Sequence, residues 1–162
     1  MTRKLPPTDA VIIGLGWTGS ILAEALTRAG LNVELQANDW GTLITRRASK
    51  EPIDKGGWSI FHTWTVSPDL LTPALNNNIR TTGASAWFGW PEDAEFERLR
   101  DQWLHAATPE EQKALVDQLQ KRAYEVVPYI ITGQFQIPSA YRKTVKGVIT
   151  APVAFLWNVE KQ

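Results

Sequence analysis

At 162 residues, 43% hydrophobic and 21% charged, the chain has material for one domain with a real core and too little for two. Its formal net charge is zero, with 17 basic and 17 acidic residues, which removes the electrostatic case for nucleic acid or an anionic membrane surface as a partner. With no cysteine, disulfides, thiolate catalysis and cysteine metal sites are excluded, and only His62 and His105 offer an imidazole.

The N-terminal stretch MTRKLPPTDA runs through two prolines into an apolar run, without a separate apolar segment and a small-residue cleavage site, so a cytoplasmic location is expected. The apolar run is too short and interrupted to span a membrane. Val11–Ile13 is β-branched and reads as a first strand. It leads into Gly14-Leu15-Gly16-Trp17-Thr18-Gly19, the spacing of a dinucleotide-binding turn that opens a helix. Ile21, Leu22, Ala25, Leu26 and Ala29 then recur at helical spacing, Gly30 stops the helix, and Asn32–Gln36 supplies a second strand. One βαβ unit is thereby predicted.

Asp39 reads as the N-cap of a short helix whose basic residues Arg46, Arg47 and Lys50 suit the negative end of the helix dipole. Glu51-Pro52 ends it, Gly56-Gly57 turns the chain, and Trp58–Trp64 alternates as a third strand. Residues 65–92 form a long irregular connection punctuated by Pro68, Pro73, Gly83, Gly89 and Pro91, with one helical turn expected over Asp69–Leu75. The aromatic Trp87-Phe88-Gly89-Trp90 is expected to dock on the body of the domain. Two helices follow. Thr108, Pro109 and Glu111 provide the N-cap, the first helical position and the capping box of the second. Phe96, Leu99 and Trp103 line one helix, and Leu115, Leu119, Ala123 and Val126 the other. Pro128 closes the second helix, Val127–Phe135 reads as a strand, 138–148 as a connector and Val153–Val159 as a last strand.

No catalytic set emerges, because neither histidine lies in a nucleophile motif and Glu95, Glu97, Glu110 and Glu111 read as solvated helix residues. Two histidines without ligand spacing predict no metal site. Eight tryptophans, Trp17, Trp40, Trp58, Trp64, Trp87, Trp90, Trp103 and Trp157, are spread over turns, strands and helices; most are expected in a core or at an interface.

The glycine turn carries the sharpest chemistry, since absent side chains let backbone N–H groups and a helix N-terminus approach a pyrophosphate. The fingerprint also wants an acid about 20 residues further on to hold a ribose. Here Glu34 lies inside the second strand and Asp39 beyond its end. The alternative is that the turn only packs helix on strand. Through Pro6-Pro7, Val11–Gly19 and Ala29-Gly30-Leu31, residues 4–34 resemble the opening of glucose-methanol-choline type flavoprotein oxidoreductases. The resemblance implies that Gly14, Gly16 and Gly19 would hold the phosphates of FAD. The Glu-Arg-Gly usual after the second strand is replaced by Gln36-Ala37-Asn38, and no catalytic-histidine domain follows.

Residues 31–158 resemble something else, the C-terminal part of the family 5 solute-binding proteins of peptide-type ABC importers. The matching residues are Val33–Gln36, Asp39–Leu43, Arg46-Arg47-Ala48, Gly56–Thr63 and Trp87–Pro91, then Val127–Ile130, Gly133-Gln134, Ala140–Lys143 and Phe155–Val159. Full-length members carry a signal peptide, are periplasmic or extracellular, and close two lobes over a ligand. By carry-over, His62, Trp64 and Asp69 would line the cleft, the aspartate pairing with a peptide amino terminus and the tryptophan covering an apolar side chain or a sugar face.

The expected fold is a single α/β domain over 1–162, three-layer-like, with a partly parallel sheet. In it a Rossmann-like βα segment, 1–30, precedes a periplasmic-binding-protein-like lobe, 31–162. The expected function is that of a solute-binding lobe for a small peptide or oligosaccharide, inactive in transport alone, not an enzyme and without a cofactor. The alternatives are an FAD- or nucleotide-binding module and an engineered or rearranged structural chimera with no surviving site. Half a cleft would expose an apolar, tryptophan-rich side and favour a homo-oligomer.

Overall fold

The structure, a computed structural model, describes residues 7–14, 17–136 and 138–162, with the side chains of Trp17 and Thr18 outside that description. It forms two compact units, Met1–Trp64 and Thr65–Gln162.

The first unit is the predicted βαβ start and its continuation. Strand β1 (Ala10–Ile13) is buried at all four residues, and it pairs in parallel with β2 (Val33–Gln36) on one side and β3 (Ile60–Phe61) on the other. The sheet order β2-β1-β3 therefore puts the uninterrupted apolar run AVII in the middle, where a parallel strand covered on both faces needs it. Helix α1 (Trp17–Arg28) connects β1 to β2. It ends in a Schellman motif: Gly30 takes φ +95°, its N–H donates to the Thr27 carbonyl, and the Leu31 N–H donates to the Leu26 carbonyl. Helix α2 (Trp40–Arg46) starts at the predicted N-cap, with the Asp39 carboxylate accepting from the Thr42 N–H at 3.0 Å. It stops at Arg46, earlier than the run of basic residues suggested.

The third strand contracts from the expected 58–64 to two residues. Ahead of it, Ser59 ties to Val11 through both its N–H and its hydroxyl. Trp58 leaves the ladder to donate its indole N–H to the Arg47 carbonyl at 3.1 Å and to pack edge-on against Phe61.

In the second unit the long connection resolves into three single 3-10 turns, Ser67–Leu70, Asn77–Ile79 and Gly83–Ser85. An isolated bridge between Thr82 and Glu92 closes the last of these. Its Trp87, Phe88 and Trp90 are half-buried. Helices α3 (Ala94–His105) and α4 (Pro109–Val126) form a hairpin around Phe96, Leu99 and Leu119, with Ile79, Trp103, Leu115, Ala123 and Val126 packed against them. The capping box at Thr108 and Glu111 is complete, as the sequence predicts.

Two expectations fail here. Val127–Phe135 and Val153–Val159 are not strands, although their β-branched and aromatic content suits one. Ile130, Ile131, Phe135, Leu156 and Trp157 are exposed, and neither segment has a strand beside it among the described residues. Strand propensity reports fit to a half-buried pleated surface, and without a neighbour it forms no ladder. The second sheet is instead an antiparallel pair, β4 (Val145–Lys146) with β5 (Glu160–Lys161), one strand inside the expected connector and the other at the end of the chain. The architecture is mixed helix and sheet with a parallel three-stranded sheet, the coarse α/β class expected. None of the described tryptophans is fully buried: Trp58, Trp87, Trp90 and Trp103 are half-buried, and Trp40, Trp64 and Trp157 are exposed. The core consists of aliphatic residues and Phe96 instead.

Candidate functional site

The C-terminal edge of the parallel sheet is where α/β folds gather ligands, and the glycine turn and the residues after β3 both emerge there. Gly14 follows β1 with φ +104°, and its N–H donates to the Gln36 carbonyl at 3.0 Å, extending the pairing with β2. Gly19 is the third residue of α1 and is buried. Gly16 lies outside the described residues.

The spaces left by the two described glycines are filled by the chain itself. A Cβ on Gly14 would come within 3.0 Å of Leu43 Cδ1, the one buried residue of α2. A Cβ on Gly19 would meet the Gly14 carbonyl oxygen at 3.1 Å and the His62 ring at 3.3 Å. His62 directly follows β3, so the parallel pairing of β1 with β3 delivers its imidazole to the first turn of α1. The structure thus unites two candidates, Gly19 and His62, that the sequence left 43 residues apart in separate motifs. The Nε2 atom of His62 is shielded from solvent and has no hydrogen-bond partner among the described residues, and burial holds the imidazole pKa below its usual range.

Neither acid available for a ribose stands free. Asp39 caps α2, accepting from both the Thr42 N–H and the Thr42 hydroxyl, and these bonds lower its carboxyl pKa. Glu34 lies on the exposed side of β2 and accepts from the Gln36 amide. Arg46, which the sequence offered as a dipole partner and as part of the binding-protein resemblance, ties this edge together. Its guanidinium bonds the Gln36 side chain and the carbonyls of Gly56 and Gly57, joining β2 to the turn before β3. A shallow hollow on α2, lined by Asp39, Gly41, Thr42, Thr45 and Arg46, lies alongside.

Of the remaining predicted ligand contacts, Trp64 is exposed at the end of the first unit, and Asp69 is exposed in a 3-10 turn of the second. Among the described residues, no group of three or more His, Asp or Glu side chains could hold a metal ion. No described helix is long and apolar enough to cross a membrane.

In sequence, the chain is similar to binding components of peptide ABC transporters. Over 141 residues, 87% of the chain, it is 39% identical to the "probable peptide ABC transporter periplasmic-binding protein y4tO" of Sinorhizobium fredii. Over 151 residues, 91% of the chain, it is 24% identical to di/tripeptide-binding protein 4 of Pseudomonas aeruginosa. The chain spans about a quarter of the length of these relatives, 27% in each case. A shorter match, over 33 residues, 20% of the chain and 5% of the relative, is 52% identical to the gluconate 2-dehydrogenase flavoprotein of Pantoea cypripedii. Both resemblances legible in the sequence are therefore present, as in a hybrid. The relatives matched over most of the chain are named as binding proteins, not enzymes. No family model matches the chain.

Proposed function

We propose that the chain is a solute-binding segment of the peptide-importer type, that its ligand class is short peptides, and that its glycine turn serves packing rather than phosphate binding. One observation carries the reading: the similarity to peptide-binding relatives runs over 87% of the chain, whereas the flavoprotein match covers 20%. The interior of the turn supports it. At Gly14 and Gly19, the tight-turn and helix-packing positions of the spacing, Leu43 and the His62 ring take up the space a side chain would need, which is the packing role. With Asp39 capping α2, the fingerprint also lacks a free acid for a ribose. On this reading Trp64 and Asp69 are the ligand-facing residues, His62 is structural, and the chain does not transport by itself.

Thermal melting of the purified chain with di- and tripeptides, oligosaccharides, FAD, NAD and ADP tests the assignment. A ligand at about 100 times its Kd stabilises by about 2.7 kcal/mol, a readily measured shift. A rise with peptides alone is the expected result. A rise with FAD, NAD or ADP, or a yellow preparation, would replace it with the nucleotide reading, for which the flavoprotein match is the supporting observation. No response to any of them would leave a structural chimera.

A further inference from the structure

We propose that His62 is a proton-sensitive latch that holds the first turn of α1 against the C-terminal edge of the parallel sheet while its imidazole is neutral and releases it on protonation. The geometry is a ring wedged between elements. Its edge lies 3.3 Å from where a Gly19 Cβ would be, closer than ordinary van der Waals contact, so any side chain there would press on the ring. Its Nε2 is shielded from solvent, and among the described residues no carbonyl or carboxylate is placed to accept from it.

Two further effects oppose an imidazolium in this place. Gly19 is in the first turn of α1, where the helix dipole presents its positive end, and that turn contains no acidic residue to offset it. The other charged groups on the surrounding elements are engaged elsewhere. Asp9, at the far end of β1, accepts from the Asn32 N–H; Glu24 on α1 pairs with Arg28; Glu34 on β2 holds Gln36. On α2, Asp39 caps the helix, Arg46 holds the Gln36 side chain and two carbonyls, and Arg47 lies over the Trp40 ring. Burial shifts the imidazole pKa downward in the same sense.

The sign follows. A folded-state pKa below the unfolded value means that the contribution of His62 is complete above about pH 6.5 and is lost as the pH falls through the lower folded value. Once charged, the ring must leave Gly19 for water, and α1 loses the packing that fills its first turn. The space beside Gly14 and Gly19 opens at the same step.

Hydrogen exchange on the full chain between pH 7.5 and pH 5.0 reads the latch directly, with the α3 and α4 amides as internal reference. The expected result is that protection of α1 amides, relative to α3 and α4, falls by up to about tenfold per pH unit, the limit for a single linked proton. The fall should occur in the wild type and in His105→Gln and be absent in His62→Gln. A wild-type α1 that keeps its relative protection, or a His62→Gln variant that loses it along the same curve, overturns the proposal. If His62→Gln does not fold, proton NMR titration of the wild type decides. The His62 ring must titrate at the same midpoint as the loss of α1 protection, and separated midpoints overturn the latch.

Discussion

Gly57 has no room for any side chain, because a Cβ there would lie 1.8 Å from the Glu51 carbonyl oxygen and 2.8 Å from that of Pro52. Both obstacles are backbone, so relief requires moving the turn that feeds β3 and the carbonyl that Arg46 holds. Gly57→Ala is expected to lower stability by about 3 kcal/mol in denaturant unfolding, the upper end of ordinary overpacking. Gly19→Ala should be milder, about 1–2 kcal/mol, because one of its obstacles is a side chain that can turn aside. Measured in a His62→Ala background the Gly19→Ala cost should shrink without vanishing, since the Gly14 carbonyl remains at 3.1 Å. Equal costs in the two backgrounds would mean that His62 and Gly19 are not coupled. The glycine spacing was legible as a motif, but its occupant was not. Which side chain fills a glycine's space depends on β3 pairing with β1 across about fifty residues, and no local pattern encodes that pairing.

At the scale of elements, the helix ends carry the clearest physical chemistry. Asp93 caps α3 by accepting from the Phe96 N–H at 2.7 Å and also pairs with Arg122 of α4 at 2.5 Å, so one carboxylate starts one helix and ties down the other. Arg122 bonding, the Phe96 N–H and the guanidinium charge together hold its pKa below the usual carboxylate range, against a smaller upward push from burial. A depressed folded pKa means stability that is complete above about pH 4 and lost as pH falls further. Loss of the α3–α4 helical signal should therefore begin below that pH, and Asp93→Asn should flatten the dependence. Asp93→Ala, which also removes the cap, is expected to cost about 1 kcal/mol from that cap alone. At the other end, α4 stops at Val127 in the left-handed region with φ 45°, a conformation that costs a residue with a Cβ about 1–2 kcal/mol. Val127 is 52% exposed, so little burial is lost on truncation. Val127→Gly should raise stability by a net of about 1 kcal/mol, and a lower melting temperature would contradict the strain argument.

For the whole molecule, the distribution of apolar surface matters more than its amount. Ile130, Ile131 and Phe135 are each more than 60% exposed in a segment with strand-like composition, and Leu156 and Trp157 in another. Surface of this kind seeks a partner, whether a neighbouring strand, a second chain or a fluorescent dye. The chain by itself is expected to bind such a dye in its native state and to self-associate with concentration in sedimentation velocity. Replacing Ile130 and Phe135 by threonine should weaken both without a large change in melting temperature, since neither side chain belongs to a core. A dye-negative monomer at high concentration would sink this expectation.

The sequence alone determined the features whose causes are local. These are the βαβ order and its Schellman end, the Asp39 and Thr108 caps, the α3–α4 periodicity, and the two resemblances with their residues. Each rests on contacts a few residues long, or on a spacing that backbone geometry repeats. Tertiary structure decided what depends on neighbours distant in the chain. It made Val127–Phe135 an exposed irregular segment, because strand composition without an adjacent strand forms no ladder. It placed His62 on the glycine turn. The motif is a spacing of nearby residues; the pairing of β3 with β1 set an imidazole against its third glycine.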